Sequence, residues 1–274
     1  MVANIIGCFR EMIRFQEPLT KKELIFAYVP VDKIEIPPMQ RDLSRKLVKL
    51  LAVSLEKRGF LSTVLLVKRG DKLYIVDGMH RLEAFKELGG TEILAFIIEN
   101  EEIANKLWYG GMLSLNIEKA PNVKEKSKQV FRLYKELYQR KPSDLETEYA
   151  LDIGLPEYIT LGYICEEVDS KFAPGTVKYL VEKVDSFIEK PIKEAFDERR
   201  KRGEAVYRLY QVLAEKVGEL GLKFQNAKES VLKEALRQLY GAGRGIFIEE
   251  DFYSAIDKTI QKVKELKKED FVIV

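Results

Sequence analysis

Asp77, Gly78, Met79, His80 and Arg81 stand in one five-residue run, so an acid, a glycine, the chain's only histidine and an arginine share a single turn of backbone. The run sits where the strand-like "KLYIV" meets the helix-like "HRLEAFKEL". A glycine turn that opens a helix leaves backbone N–H groups and the positive end of the helix dipole facing outward, which suits an anion. Arg81 can add a bidentate phosphate donor, and Asp77 has the type of a base or metal ligand in phosphoryl transfer. On residue types alone, a glycine at a strand-to-helix turn beside an arginine is more often plain architecture, and a lone histidine in a first helical turn is more often a cap or surface residue than a catalyst.

The elements around this run are readable from period and punctuation. "LIFAYVPVDKIEI" is extended chain stopped by Pro37-Pro38. Leu43, Leu47, Leu50, Leu51 and Leu55 fall on one helical face that closes at Gly59. "TVLLVKR" and "KLYIV" are two strands joined at Gly70-Asp71. The helix from His80 to Leu88 should bury Leu82, Phe85 and Leu88, ending at Gly89-Gly90 before the strand "EILAFII". Residues 24 to 103 therefore read as a compact unit of interleaved strands and helices. Ahead of it, Ile5, Ile6, Phe9, Met12 and Ile13 recur at three- and four-residue steps, predicting an amphipathic helix within residues 1 to 23.

After Ile98 the pattern becomes helical. A long helix is expected from Val123 to Gln139, with Val130, Leu133, Tyr134 and Leu137 repeating on one side. "PSDLETEYALDIGLPEYITLGYICEEV" has helix-turn-helix spacing: a first helix capped by Ser143 or Asp144, a turn at Gly154, and a second helix with Pro156 in its first turn. The remainder is helical, with "GAGRG" at 241 to 245 before a final helix through Lys268. The reading gives four segments: 1 to 23, 24 to 103, a helical helix-turn-helix-like part from 104 to 195, and a C-terminal helical part from 196 to 274.

Composition narrows the classes. The chain has 274 residues, 46% hydrophobic, enough for a sizeable core. A formal charge of +2 with 33% charged residues means that any basic patch is local. Two cysteines, Cys8 and Cys165, far apart and without a second ligand pair, argue against a disulfide framework or zinc site, and no metal ligands are assigned. With no signal-peptide order at the start and no apolar run of membrane-spanning length, a cytoplasmic protein without a membrane partner is expected.

The order from Val29 to Ile98 closely resembles the ParB/sulfiredoxin fold: an opening "VPVDKI", a Pro-x-Gln-Arg box, a helix ending Ser-hydrophobic-x-x-x-Gly, a strand, and a Gly-x-x-Arg box entering a helix. "LSLNIEKAPNVKEKSKQVFRLYKEL" continues as ParB does, and the helix-turn-helix comes where ParB places its own. Sulfiredoxins and the ParB-like free-serine kinases do not carry this second part, so the resemblance is to the ParB DNA-partition proteins, with the archaeal plasmid branch as the branch in view. It implies an α+β architecture: a ParB/sulfiredoxin-like α/β domain followed by an all-helical part. It also implies a nucleoside triphosphate with magnesium as the candidate cofactor, held by Gln40, Arg41, Gly78, His80, Arg81 and Asn116. Two departures count against hydrolysis. Met79 and His80 stand in the middle of the Gly-Glu-Arg-Arg box, and Leu115 stands where the family's metal-binding glutamate would be; a leucine cannot ligate Mg²⁺.

The same five residues also resemble the Asp-Gly-His-His-Arg box of the free-serine kinases, which makes Asp77 the candidate catalytic residue of an alternative phosphotransferase or nucleotidase. The candidate reading helix, "PEYITLGYICEEV", has no Lys or Arg and contains Glu157, Glu166 and Glu167, so direct reading of DNA should be poor. Arg199, Arg200, Lys201 and Arg202 form the best local basic cluster for DNA or a partner, and a solvated helix end is its plainer reading. The expected function is a partition-type adaptor, leaning away from an enzyme. It would dock other segregation proteins, a centromere-binding adaptor or a ParA-type ATPase, and touch DNA weakly or indirectly, with a homo-oligomer left open.

Overall fold

A computed structural model describes residues 10–19, 21–40, 42–108, 122–241 and 248–271. It divides into two compact units, residues 1–120 and 121–274. The segment limits read from sequence at 103/104 and 195/196 each fall inside a helix, Glu101–Lys106 and Ile192–Glu219.

The first unit is a six-stranded mixed sheet with helices. Its strands are β1 (Arg10–Gln16), β2 (Glu23–Pro30), β3 (Ile34–Glu35), β4 (Val64–Arg69), β5 (Lys72–Asp77) and β6 (Glu92–Ile98). The order is β1-β2-β6-β4-β5-β3, antiparallel except for the β6/β4 and β5/β3 pairs. The β2 residues Ile25, Ala27 and Val29 pair with Ile97, Ala95 and Ile93, so each strand turns alternate residues to one buried face. That face, continued by Val64, Leu66, Leu73 and Ile75, packs Met79 and Leu82 of the helix α2 (Met79–Glu87). Phe85 packs more loosely, edge-on to Phe60 at 5.3 Å, and Leu88 is exposed. Helix α1 (Arg45–Arg58) is capped by Ser44 and ends at Gly59 as expected, but it buries only Val48; Leu50 is 61% exposed. Helix α3 (Glu101–Lys106) leads to the single tryptophan, Trp108, which is buried edge-on to Tyr74 at 4.7 Å under the Arg69 guanidinium at 4.2 Å.

The N-terminal helix is a correction. Met12 and Ile13 lie in β1, an edge strand paired with β2 and exposed from residue 11 to residue 16. An edge strand exposed on both faces gives no alternation to read, and the three- and four-residue steps mimic a helix. Ile5, Ile6 and Phe9 lie outside the described residues.

The second unit is helical: α4 (Val123–Arg140), α5 (Ala150–Ile153), α6 (Glu157–Tyr163), α7 (Gly175–Val184), α8 (Ile192–Glu219), α9 (Ala227–Tyr240) and α10 (Phe252–Glu265). Among its described residues the only β pairing is an isolated bridge, Leu145 with Pro191. Asn122 and Glu125 form a capping box on α4, and Asp251 caps α10. No described helix is long and apolar enough to cross a membrane.

The core of this unit is built on the approach of α6 to α4. A Cβ on Gly162 would lie 2.2 Å from the Ser127 carbonyl oxygen and 2.5 Å from Phe131 Cβ, so only a glycine permits the contact. Gly162→Ala should destabilise the fold by about 1–3 kcal/mol or more, read as a lower denaturation midpoint without a change in slope.

Candidate functional site

The Asp77–Arg81 run is a strand-to-helix junction, as its residues suggest. β5 ends at Asp77, Gly78 takes φ +92° at the N-cap of α2, and Arg81 lies one turn into the helix. A Cβ at Gly78 would stand 2.9 Å from Val64 Cγ1 and 3.1 Å from Arg81 Nη2, so the turn requires bare backbone in space as well as in φ. Arg81 Nη2 donates to Asp77 Oδ2 at 2.6 Å, and the two side chains are 27% and 41% exposed. At that exposure the ion pair contributes about 0–1 kcal/mol, so an incoming anion can compete for the guanidinium.

Gln40 and His80 are engaged in holding this junction together. The Gln40 side-chain amide donates to the carbonyl oxygens of Ile75 and Val76 at 3.1 and 3.2 Å, tying the loop before α1 to β5. His80 is buried, and its Nε2 accepts the Ser44 backbone N–H at 3.0 Å, so this nitrogen is an acceptor here and does not offer a proton to phosphate. The histidine thereby joins the first turn of α2 to the cap of α1. Arg41 and Asn116 lie outside the described residues, as does Leu115.

A phosphate suits the part that is described: bare backbone at the start of α2, and a partly exposed guanidinium one turn away. The metal half of the expected cofactor finds no such support. Among the described residues no three His, Cys, Asp or Glu side chains come together as a metal site.

The helix-turn-helix region folds differently from its reading. Its first helix is a 3-10 turn, Glu146–Tyr149, running into the single turn α5. Neither Ser143 nor Asp144 caps it; the residue before the turn is Leu145, and Asp144 accepts the Tyr149 hydroxyl at 2.6 Å. The turn at Gly154 and Pro156 at the head of α6 are as expected. Every residue of α6, Glu157 to Tyr163, is buried, and in the segment "PEYITLGYICEEV" only Glu167 and Val168 beyond it are exposed. The acids of α6 and of the π turn after it, Ile164–Val168, have partners within the unit. Glu166 takes a bidentate pair from Arg132 at 3.1 Å, Glu167 pairs with Lys135 at 2.6 Å, and Glu157 lies 3.6 Å from Lys178, its carboxyl raised by burial.

Arg199, read as a contact for DNA or a partner, is fully buried, and this is a second correction. Its five N–H donors all find acceptors: Glu146 Oε2 and Oε1 at 3.1 and 2.5 Å, Asp185 Oδ1 at 2.8 Å, Thr160 Oγ1 at 3.2 Å and the Ser186 carbonyl at 2.9 Å. Glu146 also accepts the Tyr134 hydroxyl at 2.5 Å and the Ile188 N–H at 2.8 Å; burial and that carboxylate push the Tyr134 phenol well above its usual range. Arg202, 14% exposed, adds a second cation on Asp185 at 2.5 Å. Of the basic cluster only Arg200 and Lys201 are exposed.

The comparisons with known proteins agree with the first unit. Residues 15–108 match the family model "ParB N-terminal domain". A relative in Campylobacter jejuni, "Probable chromosome-partitioning protein ParB", is 31% identical over 103 residues, which are 35% of this chain and 36% of that protein. The match thus spans little more than a third of the curated relative. Among solved structures, "Structure of the pNOB8-like ParB N-domain" covers 93% of this chain and 100% of its own at 16% identity and TM-score 0.36. The C-terminally truncated chromosome-partitioning protein ParB from Caulobacter crescentus, complexed with CTP-gamma-S, covers 57% of this chain and 84% of its own at 16% identity and TM-score 0.29.

Two neighbouring arginines should separate sharply. Arg199→Met leaves Glu146 and Asp185 buried without their central cation and should cost about 3–5 kcal/mol, whereas Arg200→Ala should stay within about 0.5 kcal/mol; urea denaturation of both variants measures the difference.

Proposed function

We propose that the chain is a ParB-type partition protein that acts by docking other segregation proteins, a centromere-binding adaptor or a ParA-type ATPase, and that its own link to DNA is weak or indirect. The observation that carries the reading is the burial of the candidate reading helix α6 in a chain whose residues 15–108 match the ParB N-terminal domain. A helix that reads bases needs an exposed face with donors on it, and α6 has neither. Arg199 is withdrawn into the core, and the exposed Arg200 and Lys201 are interleaved with Asp197 and Glu204 on α8. That is too little local positive charge for a strong phosphate footprint.

The same reading gives the Gly78 turn a modest role. A nucleoside triphosphate would rest a phosphate on the start of α2 and on Arg81, after the guanidinium exchanges Asp77 for the ligand. Met79 and Leu115 supply no polar ligand, so binding should be weak and phosphate release slow. Calorimetric titration with CTP and with ATP in magnesium checks this: Arg81→Ala should weaken what binding there is by about tenfold, roughly 1.4 kcal/mol. Brisk phosphoryl transfer to free serine that disappears in Asp77→Ala would instead establish the phosphotransferase.

For DNA, anisotropy of labelled duplexes should give weak binding that does not distinguish specific from scrambled sequence and that is lost as salt rises. Sequence-selective binding by this chain alone, surviving at higher salt, would overturn the adaptor reading.

A further inference from the structure

On the helical unit lies a cavity of about 410 Å³ between α4, the end of α6 and α8. This is within the size range of small-molecule and side-chain pockets, roughly 300–1,000 Å³. Its walls are aromatic. The Phe196 ring lies 4.5 Å from Tyr138 in a tilted pair, and Tyr138 is 37% exposed. Tyr163 forms a third wall and is fixed from behind: a Cβ on Gly203 would lie 2.3 Å from its ring, so the missing side chain of Gly203 is what seats it. Arg200, one turn before Gly203 on α8, lines the same cavity beside Tyr163.

The rim is charged and unequal. Arg200 and Lys135 are its cations and Glu167 its carboxylate; Lys135 and Glu167 are paired with each other at 2.6 Å. Arg200 is exposed at this rim and carries a guanidinium whose planar fork has five donors. Aromatic walls favour stacking or edge contact with another ring. A guanidinium at their edge favours one planar anion. A polynucleotide is the poorer fit, since its successive phosphates would run past Glu166 and Glu167.

We propose that this cavity is a docking pocket for a partner-protein segment in which an aromatic side chain stands next to a carboxylate, the ring entering between Tyr138, Phe196 and Tyr163 and the carboxylate meeting Arg200. The inference rests on the docking reading above only in naming the ligand as part of a partner protein.

The test is a titration of the isotope-labelled full chain, followed by amide NMR, with three probes: N-acetylphenylalanine, its uncharged amide, and uridine 5′-monophosphate. The expected result is saturable shifts around Gln139, Glu167 and Arg200 with N-acetylphenylalanine. The uncharged amide should bind roughly fivefold more weakly, and Arg200→Ala should lose affinity for N-acetylphenylalanine by a similar factor with an unchanged melting temperature. Tyr163→Phe should give a smaller loss. If Arg200→Ala lowers the melting temperature, the acid-against-amide comparison on the unaltered chain decides. Absence of saturable shifts, equal binding of acid and amide, or tighter binding of the nucleotide would each overturn the proposal. No partner is present in the titration, so failure to find a segregation partner and failure of the pocket are separate results.

Discussion

The second unit is organised around a single buried guanidinium. Arg199 draws to one point side chains from α4, the 3-10 turn before α5, α6, the loop after α7, and α8 itself. Two carboxylates face it and a second cation, Arg202, lies at the edge, so the cluster is charge-balanced as well as hydrogen-bonded. A buried cation of this kind has little net value as a source of stability, because desolvation offsets most of the attraction. What it supplies is uniqueness. Any other packing of these helices would strand a charge, and that constraint fixes α6 deep in the unit with its polar residues turned to internal partners.

How far the sequence discloses this depends on whether a signal is local. The helix from Val123 and the strand "EILAFII" need only their own residues and are found within a residue of their expected limits, whereas the extended "LIFAYVPVDKIEI" is broken by a 3-10 turn, Val31–Lys33, between β2 and β3. The edge strand β1 is specified by pairing with β2, a partner more distant than any periodicity window. Arg199 reads as part of a charged run, yet it is in phase with Ile192, Ala195, Gly203 and Val206, the buried stripe of α8, whereas Arg200 and Lys201 are out of phase. That phase was the available signal. Its partners Glu146 and Asp185 are 53 and 14 residues away, and nothing in a single sequence connects them.

At the Gly78 junction the residue types were legible and their division of labour was not. A glycine forced by φ and by Val64, with an arginine one turn on, is visible in the pattern. Whether a glutamine and a histidine face a ligand or bind backbone depends on where the loop before α1 lies. There, Gln40 reaches Ile75 and Val76, and His80 reaches Ser44, so two of the most chemically suggestive residues set the shape of the turn rather than its reactivity.

The position of Trp108 has a practical consequence. The chain has one indole and 13 phenols, and the indole is buried in the first unit against Tyr74 and Arg69. Excited at the red edge of its absorption, its emission follows the environment of the sheet-bearing unit alone, and the helical unit is spectrally silent. Ellipticity, by contrast, is dominated by the helices. Paired in one melt, the two optical signals assign each transition to its own half of the chain, without a cut or an introduced probe.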